Sequence, residues 1–140
     1  QPVYAPILTV TDPETERLVK AADKLSAYIK CVEELKAGNS EFRDAAAQTR
    51  AEEIAVVNSH VRPDGSKCFT VLKDYGVTDT PTGENAAWGS VSPEEVVNAW
   101  MNSEGHRANI LSPEARKMSV GYYYNSNSTW GHQWIQIFTK

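Results

Sequence analysis

The sequence predicts an α+β domain, on three observations. Residues 92–105 carry an amphipathic pattern in which Val96, Val97, Trp100 and Met101 recur at three- and four-residue steps. Residues 13–37 repeat it with Leu18, Ala21, Leu25, Tyr28, Ile29, Val32 and Leu35. Near the end, residues 117–124 and 130–139 read as strands joined by a polar hairpin loop, Asn125-Ser126-Asn127-Ser128. A chain of 140 residues is long enough to bury a core without staples, so residues 12–140 are expected to form a single domain.

Taken in order, residues 1–11 hold two prolines and no period, and read as an extended arm or linker remnant. Asp12 and Pro13 open the first helix as cap and first residue, and Gly38-Asn39 closes it. Ser40 begins a second helix to about residue 57, with Ala47, Ala51, Ile54 and Ala55 as its buried stripe. Residues 60–65 form a loop around a Pro-Asp-Gly turn. Residues 68–75 fit a strand or a short helix, and the helix, ending at Gly76, is preferred. Residues 77–83 read as loop, and residues 83–89 lead into the next helix. That helix starts at the cap Ser92, with Pro93 at its first position and Glu95 three residues after the cap. It is expected to stop near Gly105 and to present His106, followed by Arg107, at its exit.

A net charge of −4 argues against nucleic acid or an anionic membrane as the main partner. The chain has no apolar run of about 18 residues and so no expected transmembrane segment. It opens on Gln1-Pro2, without initiator Met or signal-peptide pattern, which we read as a processed start from which a secretion signal could have been removed. Cys31 and Cys68 could pair or remain two buried thiols.

His60, His106 and Glu84 are the residues best suited to chemistry. Two imidazoles and a carboxylate on loops can hold a divalent ion such as zinc, or serve as an acid/base pair. The competing reading is structural: the histidines bond backbone carbonyls, and Glu84 pairs with Arg62 or Arg107. No serine sits in a nucleophile elbow, neither cysteine has a neighbouring pattern that lowers its pKa, and phosphate-binding glycine loops are missing. Tyr122, Tyr123, Tyr124, Trp130 and Trp134 cluster on the hairpin, more as sheet core with one exposed face than as a ligand groove.

Four segments together resemble the CAP superfamily, also called the SCP or sperm-coating-protein-like domain, in its bacterial secreted branch. They are Ser-His-Val-Arg-Pro-Asp-Gly at 59–65, Gly-Glu-Asn at 83–85, Trp-Met-Asn-Ser-Glu-Gly-His-Arg-Ala-Asn-Ile-Leu at 100–111 and Trp-Ile-Gln-Ile-Phe at 134–138. The resemblance spans roughly residues 45–138, and the helix over residues 12–37 is less like the family's opening. It implies a three-layer α-β-α sandwich with a small, mainly antiparallel central sheet. It also implies a cleft lined by two histidines and two acidic residues, which in several members bind a divalent metal.

Carried over, His60 matches the first histidine, Glu84 the first glutamate and His106 the second histidine. The second glutamate's position holds Ser103, so the tetrad is incomplete. His60 and His106 are then the metal-ligand candidates, with zinc as the possible cofactor. Arg62, Asn85, Arg107 and Asn109 would support the loops around them, and no residue is assigned a catalytic role. The resemblance favours a secreted or cell-surface binding module, with a small apolar ligand or a cell-wall component as partner. Its rivals are a metal-dependent extracellular hydrolase and a surface interaction domain whose cleft is purely structural.

Overall fold

The computed structural model describes residues 12–36 and 40–140, without the side chains of residues 26–28 and 30–36. Its elements are α1 (Pro13–Lys36), α2 (Glu41–Ile54), α3 (Thr70–Asp74), β1 (Pro81–Trp88), α4 (Pro93–Met101), α5 (Glu104–Leu111), β2 (Lys117–Tyr124) and β3 (His132–Thr139). The strands form one antiparallel sheet in the order β1-β3-β2. Registers run from Pro81 opposite Thr139 to Trp88 opposite Gln133, and from Lys117 opposite Thr139 to Tyr124 opposite His132.

Alternation along the central strand builds the two faces. Ile135 and Ile137 point to one side and join Ala46, Ala47, Ala51 and Ile54 of α2 with Val71 and Leu72 of α3. Trp134 and Phe138 point to the other and join Val96, Trp100 and Met101 of α4, Ile110 of α5, and Met118. The result is the expected α-β-α sandwich. The alanines of α2 let its backbone press onto the sheet. A Cβ on Gly121 of β2 would lie 2.0 Å from the Ala47 carbonyl oxygen, so only glycine fits there.

Helix α1 is capped as expected, with the Glu14 and Thr15 N–H groups both 2.9 Å from Asp12 Oδ1. Its apolar stripe is not buried as expected. Leu18 and Leu25 are 66% and 59% exposed, and Val19 and Ile29 are also exposed. The helix touches β2, α4 and α5 but leaves these side chains to solvent. Ala21 of the stripe is exposed too. The side chains of Tyr28, Val32 and Leu35, the Gly38-Asn39 stop and the 1–11 arm lie outside the described residues, as does the Cys31 side chain. Cys68 is a free, buried thiol.

Three other expectations change. Residues 81–88 form an edge strand, not a loop. Its polarity disguised it, because Glu84 and Asn85 are buried and bonded rather than solvated. The helix from Ser92 stops at Met101, with Ser92 Oγ accepting from the Glu95 N–H at 3.2 Å. Ser103 is extended and opens α5, so His106 stands in the first turn of a second helix rather than at an exit. The second helix of the chain ends at Ile54, and Ala55 is only half-buried. The short helix at 70–74 and both C-terminal strands form as read, β3 beginning at His132.

Candidate functional site: a salt-locked carboxylate between two histidines

The site is built around edge strand β1. Glu84 faces α2 and Asn85 faces α5, as neighbours on a strand must. The two histidines therefore approach from opposite layers around the edge of the sheet.

On the α2 side, Arg50 is completely buried and its guanidinium grips Glu84 with two bonds, Nε to Oε2 at 2.9 Å and Nη2 to Oε1 at 3.2 Å. The same Nη2 donates to the Ser59 carbonyl at 3.1 Å, and Nη1 donates to Glu53 Oε2 at 2.8 Å. Glu53 is in turn held by Arg62, through Nε at 2.9 Å and Nη2 at 2.7 Å. Arg62 also reaches Asp74 at 2.8 Å. Charges thus alternate along Arg62, Glu53, Arg50 and Glu84. Burial pulls the Arg50 pKa down, but the bonds to Glu84 and Glu53 outweigh it and leave it above the ordinary value.

His60 ends this chain. Its Nδ1 lies 2.8 Å from Glu84 Oε1. A carboxylate has only acceptors to offer, so Nδ1–H donates and Nε2 is left for solvent or a ligand. The Glu84 side chain is 1% exposed while that of His60 is 56% exposed. The Arg62-Pro63-Asp64-Gly65 turn holds the ring's backbone. Gly65 takes a φ of 86° and donates to the Arg62 carbonyl at 2.9 Å, and the Cys68 N–H donates to the His60 carbonyl at 3.2 Å. Cys68 sits against the same carboxylate. Burial pushes its thiol up to about 11, and the Glu84 charge adds to the shift.

On the α5 side, Asn109 Nδ2 donates to Asn85 Oδ1 at 2.9 Å, and Asn85 Nδ2 donates to the His106 carbonyl at 3.1 Å and to Gln136 Oε1 at 3.0 Å. A Cβ on Gly83 would come 2.7 Å from Asn109 Oδ1, so the Gly-Glu-Asn segment needs its glycine for this contact. Burial lowers the His106 pKa, and the charge of His60 lowers it further.

His60 and Glu84 are therefore joined directly, while His106 stands on α5 with its carbonyl tied to Asn85, the next residue of the edge strand. Asn85 and Asn109 bond each other, and Arg62 acts through Glu53 rather than on Glu84. Ser103 is the cap residue of α5, and neither it nor Arg107 makes a side-chain hydrogen bond among the described residues. Arg50 and Cys68 were missed. The signal for Arg50 was present, because it falls on the alanine stripe between Ala47 and Ile54, where a cation needs a buried carboxylate.

The donor set can be compared with the metal shell that the resemblance implies. A zinc site takes three or four protein ligands. Both Glu84 oxygens already accept from Arg50, one of them also from His60, and the second carboxylate is replaced by Ser103. Among the described residues no group of three or more His, Cys, Asp or Glu is arranged to hold a metal ion. These residues do not fit that shell.

A separate groove of about 530 Å³ lies by α3, lined by Phe69, Leu72, Val77 and Pro81 together with Lys67 and Lys73.

An antiparallel sheet between helical layers, with a histidine-flanked carboxylate on its edge strand, defines the SCP class of domain. The model of the CAP family, the cysteine-rich secretory protein family, matches residues 39–138, and the chain belongs to this family. It is 36% identical over 138 residues to the uncharacterized protein YkwD of Bacillus subtilis, covering 89% of this chain and 53% of that protein. The chain thus spans about half the length of that relative.

Among solved structures, it is similar to an extracellular SCP-domain protein from Bacillus anthracis, with TM-score 0.61 and 25% identity over 71% of this chain and 32% of that one. It shares its fold with an outer surface protein of Borrelia burgdorferi, with TM-score 0.59 and 18% identity over 94% and 96% of the two chains. Residues 1–62 also match a 5'-deoxynucleotidase YfbR-like model. The YfbR of Salmonella typhi is 48% identical over 52 residues, 36% of this chain and 25% of that protein. This second match includes helix α1 and overlaps the CAP match over residues 39–62. No described helix is long and apolar enough to cross a membrane.

Proposed function

We propose that this chain is a secreted bacterial CAP module that acts by binding and catalyses no reaction, with a small ligand held between His60 and His106. The observation that carries this reading is the engagement of Glu84. Three of its roughly four lone-pair sites take hydrogen bonds from Arg50 and His60, and its side chain is 1% exposed, so the carboxylate turns no open face to a substrate. What the cleft does offer is a fixed ring edge at His60 and a second imidazole at His106. The extracellular and surface proteins among its structural neighbours support secretion, and a cell-wall component or small apolar ligand is the partner class. The groove beside α3, with Phe69, Leu72, Val77 and Pro81 in its wall, is the place this reading assigns to an apolar ligand. The test is a thermal-shift screen of the wild type, His60→Ala and His106→Ala against soluble cell-wall fragments and small acids. A ligand that stabilises the wild type and neither variant supports the reading. Ligands that act equally on all three would remove the cleft from it.

A second reading is favoured by the 2.8 Å bond from His60 to Glu84, which orients an imidazole as a carboxylate does in a hydrolase. It requires hydrolysis of a peptide or ester by the wild type that is lost in His60→Ala and retained in Ser103→Ala.

A further inference from the structure

We infer that Arg50 is the resident counter-cation of Glu84 and stands in the place a divalent metal would take on that carboxylate. The cleft of this chain is accordingly organised without a metal on Glu84. This concerns the ion at Glu84 and is independent of whether the cleft binds or catalyses.

Three observations meet here. The guanidinium is fully buried and reaches both oxygens of a carboxylate that is itself 1% exposed, so no solvent-filled coordination position separates them. A metal ligand must offer a lone pair toward the ion, and Glu84 has three of its roughly four engaged by Arg50 and His60 with the fourth buried away from solvent. Arg50 does further work that a metal shell would assign to outer hydrogen bonds. It holds the Ser59 carbonyl, one residue before His60, and it bonds Glu53, which fixes Arg62 at the turn after His60. Arg50 is thus a positioning residue for His60 by two routes, through Glu84 and through the backbone. The absence of a second carboxylate at Ser103 agrees with this charge count. Along Arg62, Glu53, Arg50 and Glu84 two guanidiniums already balance two carboxylates, so Glu84 brings no uncompensated charge to a dication.

The experiment is calorimetric titration of zinc chloride alone, near pH 7.5, into the full chain as wild type, Arg50→Met, His60→Ala and the double variant His60→Ala, Glu84→Gln. The inference expects the last two to give the same isotherm, since zinc does not reach Glu84 and the carboxylate can act on a bound ion only through the His60 ring. It expects Arg50→Met to gain zinc binding and a zinc-dependent rise in melting temperature, because the freed carboxylate then lies beside His60. Zinc binding by His60→Ala that Glu84→Gln weakens about tenfold or more overturns it. So does a folded Arg50→Met that gains no zinc affinity. Where Arg50→Met does not fold, the comparison of His60→Ala with and without Glu84→Gln decides alone.

Discussion

Arg50 and Glu84 form a two-bond ion pair, at 2.9 and 3.2 Å, between the helix that covers one face of the sheet and the strand at its edge. Both side chains are out of water, at 0% and 1% exposure. Such a pair is costly to break from one side, because the partner left behind is a buried lone charge. Arg50→Met is expected to lose about 3–5 kcal/mol of stability. The double change Arg50→Met, Glu84→Leu is expected to lose less than the sum of the two single changes. A double-mutant cycle by urea denaturation checks both statements.

Two glycines predict opposite outcomes. Gly121→Ala drives a methyl into the Ala47 carbonyl at 2.0 Å, so α2 must lift off β2. The expected cost is about 1–3 kcal/mol, or more if the sheet face opens. Gly105 lies in α5 with nothing within 4 Å of an added Cβ. Gly105→Ala is expected to stabilise by about 0.4–1 kcal/mol. Urea midpoints for the two variants should fall on either side of the wild type.

The His106 ring loses basicity on folding, through burial and then through His60. The unfolded chain therefore takes up the proton first as pH falls below the ordinary value of 6.5. The stability this ring contributes is present above that pH and is lost below it, until the folded pKa is reached. Urea midpoints measured from pH 8 to 5 should decline from about 6.5 downward in the wild type and decline less in His106→Gln.

Cys68 should be chemically silent in the folded protein. With its pKa pushed up to about 11, the reactive thiolate at pH 8 is roughly a thousandth of the thiol, and the group is buried as well. Iodoacetamide labelling followed by peptide mass mapping should show Cys68 modified at the rate of unfolding. Urea should make it react as fast as a free thiol.

Most parts that were legible in the sequence are those where one side of an element is apolar and the other is not. Strand β2 was legible instead through its β-branched and aromatic residues, Val120, Tyr122, Tyr123 and Tyr124, rather than through polarity: Ser119 and Gly121 are the buried residues of the face toward α2, while Val120, Tyr122 and Tyr124 on the other face are exposed. Strand β1 was hidden because its inner positions are Glu84 and Asn85, whose partners Arg50, Asn109 and Gln136 lie far away in the chain. Periodicity cannot see a buried polar group satisfied by a distant residue. The break between α4 and α5 was misplaced for a related reason. Gly105 looks like a stop, but the chain turns at Ser103, which takes extended dihedrals before Gly105 is reached. The motifs grouped His60, Glu84 and His106 as one set. They did not reveal that a guanidinium already occupied the carboxylate.

The most direct measurement is a crystal structure of the full chain soaked in zinc chloride, with anomalous data collected at the zinc edge. The account predicts Arg50 bonded to both oxygens of Glu84, His60 Nδ1 on Oε1, and no anomalous peak within coordination distance of that carboxylate. A zinc peak on Glu84, with the Arg50 guanidinium displaced from it, would contradict the account.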